Sequence, residues 1–275
     1  MKYLNEFQRT IDNTNLRQLY HYQSFDLSDL DKERLSRILN DGEIYCSNPV
    51  DFNDPWDMKP LTRNLIIDGG INDFREYILN HLNNGGYSSQ LIEKLTSNDV
   101  ELQKIYDGQI ESHWYSFQKY FRAYCLTPKN DNLLMWSHYA NKHKGICLEF
   151  KTDNEVFGSA WKVEYFNLYP FYNWKDNADP MRFALIKSDC WRYEEEYRLL
   201  PKTPMVSDYI HQPYLMVDEY NQLIYPKDAL LSVIIGCQAD YQKVKRVVHE
   251  IRPDIKIKRA VLLKDRYGLD IIEQD

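Results

Sequence analysis

The stretch that decides the fold is LSVIIGCQADYQKVKRVVHEIRPDIKIKRAVLLKDRYGLDIIE, residues 231–273. Its first part, 231–236, is a short apolar run that ends in glycine and predicts a buried strand. A helix is predicted over 241–252, followed by two strands over about 255–263 and 267–273. This order lacks the strict β-α-β alternation of a doubly wound fold, and it favours the α+β class.

Towards the N-terminus, strands and helices continue to mix irregularly. Strands are predicted over 17–23, 43–47, 121–126, 145–151 and 191–200, and helices over 28–39, 132–143 and 182–189. Residues 61–120 differ because they are polar, helix-patterned and broken at two Gly-Gly pairs; helices are predicted near 72–82, 88–96 and 98–120. We therefore predict one α+β domain over 1–275 with a helical insertion at 61–120.

The composition narrows the classes of partner. The chain carries 34 Lys and Arg against 41 Asp and Glu, a formal net charge of −7. A surface that tracks phosphates usually has an excess of Lys and Arg, so broad electrostatic capture of nucleic acid is disfavoured, while a local basic groove is compatible with this charge. The polar N-terminal residues and the lack of a long apolar run predict a cytoplasmic protein with no membrane partner.

LYHYQSF (19–25) is the first segment whose residues suit a binding site. On a strand, Tyr20 and Tyr22 point to one face and His21 to the other, because side chains alternate. A histidine among tyrosine rings can orient a ribose hydroxyl while a ring stacks on a planar base. The pattern is also typical of an aromatic core strand with a hydrogen-bonded histidine, and the segment alone favours that interpretation.

SNPVDFNDPWDM (47–58) predicts a rigid loop, because two prolines and several Asn and Asp residues fix its backbone. Phe52 and Trp56 can anchor this loop, and its polar residues are Asn53, Asp54 and Asp57. Such side chains bond to nearby backbone groups whether or not a ligand binds. The loop is therefore predicted either as a structural turn or as the wall of a ligand site.

MWSHYANKH (135–143) predicts a short helix with Trp136 on its apolar stripe. His138 and His143 are five residues apart, so they would not hold a metal ion together as an i, i+4 pair can. Core packing with a polar edge is the favoured interpretation. No metal site is predicted.

WRYEEEYRL (191–199) is the sharpest local pattern. An extended backbone would place Glu194 and Glu196 side by side on one face, in an E-x-E arrangement. Such a glutamate can hold a ribose hydroxyl and stabilise positive charge that develops at an anomeric carbon. A solvated edge strand whose glutamates pair with Arg192 and Arg198 is an equally good interpretation of this segment.

Together these segments resemble a bacterial family catalogued as a domain of unknown function. The shared pattern is an LY-x-Y start, an FNDP-[FW]-[DE] loop, an MW-x-HYA-x-x-H-x-G helix and a W-x-YE-x-E-[YW]-R strand, with Lys187 and the late LLSVIIGC. The resemblance covers nearly the whole chain and departs mainly in the 61–120 insertion. The family name implies no activity.

The same segments are similar to the three-part site of ADP-ribosyltransferases. That site has a His or Arg beside aromatic residues on an early strand, a Ser- or Tyr-bearing second strand, and a Glu, often as E-x-E, on a later strand. His21, then Ser47 or Tyr45, then Glu196 match these elements in order, but the S-T-S triplet is missing. The resemblance implies a mixed, antiparallel split β-sheet core and transfer of ADP-ribose from NAD.

In this resemblance the catalytic residues are His21, on a ribose hydroxyl, and Glu196, on the nicotinamide ribose. NAD, as the substrate, would lie with its nicotinamide against Tyr22 or Tyr45. The set implied to bind NAD is Tyr20, Tyr22, Tyr45, Ser47, Phe52, Asn53, Trp136 and Glu194. The acceptor is implied to be RNA, DNA or a protein, as for bacterial toxins and antiviral effectors, and an antitoxin protein is a further partner class.

Two other functions are compatible with the sequence. Glu149-x-Lys151 at a strand end, with Asp54 or Asp57 upstream, could hold Mg²⁺ in a metal-dependent nuclease, although this three-residue pattern is common and the chain is acidic. Alternatively, the aromatic loops form a pocket for a nucleotide in a non-catalytic binding module. The carboxylates would then be structural.

Overall fold

The computed structural model of the chain describes residues 7–13, 15–59, 62–168, 181–204 and 215–273. The largest sheet consists, in spatial order, of β1 (Gln18–Gln23), β4 (Ile146–Lys151), β10 (Leu230–Ile235), β11 (Lys256–Leu262) and β12 (Leu269–Glu273). All neighbouring strands are antiparallel except β10 and β11, which are parallel. This mixed sheet confirms the α+β prediction and the strand-helix-strand-strand order at the C-terminal end.

Two helices cover one face of the large sheet. The crossover between the parallel strands is α8 (Tyr241–Ile251), and α1 (Asp29–Ser36) packs beside it. Leu35, Val244 and Val248 bury their side chains in the core between these helices and the strands. Removing such side chains from water stabilises the folded chain by about 1.5–3 kcal/mol each.

A shorter helix, α5 (Leu133–Tyr139), packs against the opposite face. Trp136 is fully buried there, and its ring meets the ring of Tyr22 edge-on at a centroid distance of 5.1 Å. The Asn132 side chain caps this helix by accepting from two backbone N–H groups. The large sheet is therefore covered on both sides, and β1 is one of its edges.

Three small sheets surround the β1 edge. One contains β3 (Tyr124–Leu126), β8 (Tyr197–Leu199) and β5 (Trp161–Lys162), with β8 in the middle. The other two pair β2 (Glu43–Tyr45) with β9 (Gln222–Ile224), and β6 (Glu164–Phe166) with β7 (Ile186–Ser188). Two further short helices are α6 (Glu155–Gly158) and α7 (Met181–Ala184).

The predicted insertion contains three helices, α2 (Ile71–Asn84), α3 (Ser89–Thr96) and α4 (Asp99–Tyr120). They enclose an apolar cluster of their own, in which Phe74 and Tyr106 are fully buried and Phe183 comes from outside the insertion. The boundary predicted at residue 61 lies outside the described residues. None of the helices in the described ranges is long and apolar enough to cross a lipid bilayer.

The two predictions next to the E-x-E segment are wrong in part. Residues 182–189 do not form one helix, because α7 ends at Ala184 and the chain continues as β7. Residues 191–200 are not extended throughout, because Asp189–Glu194 is a 3-10 helix and Glu195 has φ of +46°. Only Tyr197–Leu199 of that prediction is a strand. Gly42, with φ of +71°, ends the α1 region, which the sequence predicts as a helix over 28–39.

Candidate functional site

A cavity of about 760 Å³ lies beside the β1 edge. Its wall is made by the second half of β1, by the α1 region, by β2 with the 47–57 loop, by β3, by α5, by β7 with the segment that leads to β8, and by residues 220 and 222. Cavities of a few hundred to 1,000 Å³ with an apolar wall and a few polar groups are typical of small-molecule sites. Segments that are far apart in the sequence therefore meet around one volume of ligand size.

All but one of the residues predicted for the site line this cavity. They are Tyr20, His21, Tyr22, Tyr45, Ser47, Phe52, Asn53, Glu194 and Glu196. The exception is Trp136, which does not line the cavity: its ring is fully buried, and its Nε1–H donates to the backbone oxygen of Asn130 over 2.8 Å. Trp136 supports the wall from behind by packing against Tyr22.

His21 has a defined orientation and protonation state. Its ring stacks on the ring of Tyr124 at 4.1 Å, and Nδ1 lies 2.8 Å from the carbonyl oxygen of Cys125. Because a carbonyl only accepts, Nδ1 carries the proton and the neutral ring presents Nε2 as a hydrogen-bond acceptor. Burial lowers the pKa of His21 to about 4, so the ring is neutral at pH 7.

The 47–57 loop is both a structural turn and a cavity wall. Ser47 exchanges backbone hydrogen bonds of 2.8 and 2.9 Å with Ala123, which fixes the start of the loop. The side chain of Asp54 accepts from the backbone N–H of Trp56 over 2.9 Å, as expected of an Asx turn. Asp57, at the end of the loop, turns inward and is almost completely buried.

Five buried charged residues form the polar end of the cavity; we call Asp57, Lys187, Glu194, Glu196 and Arg198 the carboxylate cluster. Lys187 Nζ lies at its centre, 2.6 Å from Glu194 Oε2, 2.9 Å from Glu196 Oε2 and 3.4 Å from Asp57 Oδ2. Each of these four side chains is no more than 6% exposed. Burying an ammonium group without such partners would be very unfavourable.

Arg198 is the second cation of the cluster and is fully buried. Its Nε donates to Glu196 Oε1 over 2.6 Å, and its Nη2 donates to Glu196 Oε2 over 3.0 Å and to Asp57 Oδ2 over 2.7 Å. The remaining guanidinium nitrogen, Nη1, donates to the carbonyl oxygen of Ala184 over 2.8 Å. The contact of Nε and Nη2 with the two oxygens of Glu196 is bidentate, the geometry in which Arg binds carboxylates most strongly.

The pKa values of the two glutamates of the cluster are shifted in opposite directions. Burial opposes ionisation of both. For Glu196 the guanidinium of Arg198 and the ammonium of Lys187 outweigh burial and hold the pKa below its ordinary value. Burial raises the pKa of Glu194, and Lys187 offsets only part of that effect. Two adjacent carboxyl groups with separated pKa values are typical of sites that hold one fixed anion and one exchangeable proton.

The local backbone explains why both glutamates reach one ammonium group. The 3-10 helix Asp189–Glu194 directs Glu194 inward, and the left-handed residue Glu195 reverses the chain so that Glu196 is also directed inward. Glu195 itself remains exposed. An extended strand would also place Glu194 and Glu196 on one face, so the sequence predicts their proximity correctly from a wrong backbone conformation.

Sequence reasoning did not assign Lys187 or Tyr139 to the site, and it paired Arg198 with the glutamates only on a solvated strand, whereas Arg198 is fully buried. Lys187 and Arg198 each interrupt a run of apolar residues, FALIK and YRLL, and a charge inside such a run signals a buried pair. Tyr139 lines the cavity and donates its hydroxyl hydrogen to Glu194 Oε1 over 2.6 Å. No spacing rule links Tyr139 or Asp57 to the E-x-E segment, since these contacts join residues 55 and 141 positions apart.

The ligands of the nuclease hypothesis do not come together. Glu149 accepts from the Ser232 hydroxyl and from Lys258 Nζ, whereas Asp57 belongs to the carboxylate cluster. Lys151 pairs with Asp228 over 2.8 Å. Within the described part of the chain, no three or more His, Cys, Asp and Glu side chains are grouped so that they could hold a metal ion.

Comparison with known proteins relates one part of the chain to a family. A family described as "protein of unknown function (DUF2971)" matches residues 135–199. Tyr139 and every member of the carboxylate cluster except Asp57 lie in this segment. The match supports, over these residues, the resemblance to a domain of unknown function. No curated protein and no solved structure matches the chain.

Proposed function

We propose that the protein is an NAD-dependent ADP-ribosyltransferase that modifies a macromolecule. One observation carries the proposal: His21, the Tyr45–Ser47 segment and the Glu194–Glu196 pair, which are distant in sequence, line the same cavity. These are the three elements, in the same chain order, in which the sequence resembles the site of ADP-ribosyltransferases. NAD would occupy the cavity as a substrate.

The proposed reaction needs a negative charge near the ribose. The bond between the nicotinamide nitrogen and ribose C1′ breaks, its electron pair leaves with neutral nicotinamide, and positive charge develops at C1′ and the ring oxygen. A nucleophile of the acceptor then forms the new bond to C1′ and gives up its proton. The carboxylate cluster supports such a step, because three carboxylates against two cations leave one negative charge at the end of the cavity.

The other walls suit the remaining parts of the substrate. His21 Nε2 can accept a hydrogen bond from a ribose hydroxyl, because Nδ1–H is already donated to Cys125. The Tyr20 and Tyr22 hydroxyls donate to Glu149 and to the carbonyl oxygen of Lys129. The rings of Tyr20 and Tyr22 are buried, whereas the ring of Tyr45 is half exposed and offers the flat apolar surface on which a nicotinamide can stack.

The proposed acceptor is RNA, DNA or a protein, in keeping with a role in a bacterial toxin or an antiviral effector, and an antitoxin is the corresponding partner. A second candidate is a non-catalytic nucleotide-binding module. The observation that favours it is the complete pairing of Glu196 with Arg198 and Lys187, which is typical of a structural carboxylate. This module would bind NAD without turning it over.

The test is release of nicotinamide from NAD by the purified full chain, measured by chromatography, with transfer of labelled ADP-ribose to lysate macromolecules as a second readout. We expect release by the wild type and a loss of about 100-fold or more in the Glu194→Gln/Glu196→Gln double variant. Glu195→Gln is the matched control, because the same substitution is made at the exposed neighbour, and it should keep full activity. NAD binding without nicotinamide release would instead support the binding module.

A further inference from the structure

We propose that Glu194, and not Glu196, is the carboxylate that acts on the bound ribose, and that Tyr139 is the positioning residue that holds it. Glu196 then has a structural role as the fixed anion that keeps Arg198 and Lys187 in place. This inference rests on the proposed function of the cavity and reverses the assignment that the sequence alone implies for the two glutamates. It follows from how the hydrogen bonds are distributed within the carboxylate cluster.

Glu196 has little capacity left for a ligand. Its two carboxylate oxygens accept three charge-assisted hydrogen bonds, two from Arg198 and one from Lys187, at 2.6–3.0 Å. A carboxylate offers about four acceptor positions, and the three donors on Glu196 belong to the two cations that neutralise it. A ribose hydroxyl would therefore compete with Arg198 and Lys187 for the Glu196 oxygens.

Glu194 accepts fewer hydrogen bonds from cations than Glu196 does. Among the residues that the structure describes, Lys187 is the one cationic partner of Glu194, over 2.6 Å, and the same ammonium contacts Glu196 and Asp57. Its other oxygen accepts from the neutral hydroxyl of Tyr139. Each Glu194 oxygen therefore keeps an acceptor position, and the surplus negative charge of the carboxylate cluster lies mainly on this residue.

Asp57 is the other carboxylate to consider, because its Oδ1 is buried without a hydrogen-bond partner. Its Oδ2, however, accepts from Arg198 over 2.7 Å and lies 3.4 Å from Lys187 Nζ. Asp57 thus contacts both cations of the cluster, whereas Glu194 contacts one. The balance of charge favours Glu194 as the anion available to a developing positive charge.

Tyr139 can position Glu194 because its helix is tied to the segment that carries the glutamate. The Asn132 side chain, which caps α5, donates through Nδ2 to the carbonyl oxygen of Tyr193 over 2.8 Å. Tyr139 then bonds to the next residue of that segment, Glu194, over 2.6 Å. The helix and the 3-10 segment are thereby held at a fixed separation, with the Glu194 carboxylate between Tyr139 and Lys187.

The surroundings of Glu194 determine the pH dependence expected of it. The titratable groups around it are Tyr139 from α5, Lys187 from β7, Tyr165 from β6, Tyr193 and Glu196. Burial raises the pKa of Glu194, Lys187 lowers it, the Glu196 charge raises it, and the Tyr139 hydrogen bond lowers it. Removing the Tyr139 hydroxyl should therefore raise the pKa of Glu194 further.

The first test needs no activity and uses the full chain with ¹³C-labelled glutamate side chains. We expect one glutamate carboxyl resonance to titrate above the ordinary range, to vanish in Glu194→Gln and to move to higher pH in Tyr139→Phe. The matched control is Tyr193→Phe, which removes the hydroxyl of a tyrosine that is close to Glu194 but is not hydrogen-bonded to it. This variant should move the resonance less than Tyr139→Phe does. A high-titrating resonance that survives in Glu194→Gln, or that Tyr139→Phe leaves in place, would overturn the assignment.

The second test measures nicotinamide release against pH. Glu194→Gln should abolish release while the protein remains folded. Tyr139→Phe should move the acidic limb of the pH profile of release to higher pH, with recovery at alkaline pH. A purely structural tyrosine would lower the rate at every pH without moving the limb. Full activity in Glu194→Gln would overturn the inference but not the proposed function. A folded wild type that releases no nicotinamide would overturn the proposed function, and the assignment of Glu194 would then be tested by the carboxyl resonance alone.

Discussion

Individual residues in the carboxylate cluster differ in what they contribute to stability and to chemistry. Glu196 neutralises a fully buried guanidinium, so removing its charge leaves Arg198 with one carboxylate partner, Asp57. Glu194 carries the charge that the cations do not balance, so removing it leaves two carboxylates against two cations. The substitution that most affects folding should therefore differ from the one that most affects turnover.

We predict that Glu196→Gln lowers the free energy of unfolding by about 3 kcal/mol or more, the usual effect of breaking a buried ion pair. Glu194→Gln should lower it by about 1 kcal/mol or less, and the exposed control Glu195→Gln should leave it unchanged. Urea unfolding followed by tryptophan fluorescence measures all three. Equal losses for Glu194→Gln and Glu196→Gln would mean that the negative charge is shared evenly between them.

His21 gives a second prediction, on stability against pH. Burial holds its folded pKa at about 4, below the unfolded value of 6.5, so only the unfolded chain gains a proton between these values. The contribution of the neutral ring is complete above pH 6.5 and is lost as the pH falls towards 4. His21→Gln should reduce the slope of unfolding free energy against pH in this window by up to about 1.4 kcal/mol per pH unit.

Thermal unfolding at several pH values checks the His21 prediction. Burial also lowers the pKa of His113 and His143, so the substitution should reduce the slope without abolishing it. Above pH 7 the difference in stability between the two proteins should be constant. An unchanged slope between pH 4 and 6.5 would show that His21 is protonated as readily in the folded chain as in the unfolded one.

At the scale of elements, the reversal at Glu195 is the local feature that builds the site. A left-handed φ of +46° costs a residue with a side chain about 1–2 kcal/mol, and a β-branched residue suffers most. Glu195 itself makes only a surface ion pair with Lys129, at 3.5 Å, which contributes little. Backbone conformation, and not side-chain contact, therefore decides what this position tolerates.

We predict that Glu195→Gly preserves both the melting temperature and nicotinamide release, because glycine adopts the left-handed conformation freely. Glu195→Ile should lower the free energy of unfolding by about 1–2 kcal/mol and reduce activity by displacing Glu194 relative to Glu196. Calorimetry and the nicotinamide assay on the same preparations provide the comparison. If glycine were the more damaging of the two, the reversal would not be what holds the glutamates together.

The helices and strands also show what the sequence can and cannot predict. The C-terminal strand-helix-strand-strand order and the three helices over 71–120 follow from local pattern, and the structure confirms them. The 3-10 helix before Glu195 does not follow, because WRYEEEYRL alternates as a strand does. Tertiary pairing of buried charges overrides that local pattern.

At the scale of the whole molecule, the cavity is separate from the helical insertion. No residue of the insertion between 62 and 120 lines the cavity, and its core is formed around Phe74 and Tyr106. Residues of the three segments 19–25, 47–57 and 191–198, which the sequence predicts to share one site, line one cavity. The contact of Lys187 with both glutamates and the complete burial of Arg198 do not follow from the sequence.

We predict that Phe74→Ala loosens the insertion without altering the cavity. Removing a fully buried phenylalanine typically lowers the free energy of unfolding by about 3–5 kcal/mol, here mainly by opening α2–α4. Hydrogen exchange should accelerate in residues 71–120 and remain slow in β1, β4 and β10. Affinity for NAD, measured by calorimetry on protein that remains folded, should not change; a loss of affinity would show that the insertion shapes the cavity.

Nicotinamide release by the folded full chain shows whether the cavity cleaves NAD with the help of one carboxylate. The wild type, Glu194→Gln and Glu195→Gln are compared at equal concentration, after each is shown to be folded. We predict that the wild type and Glu195→Gln release nicotinamide and that Glu194→Gln releases it no faster than a sample without enzyme. No release by the folded wild type over pH 5–9, with lysate acceptors present, would contradict the account.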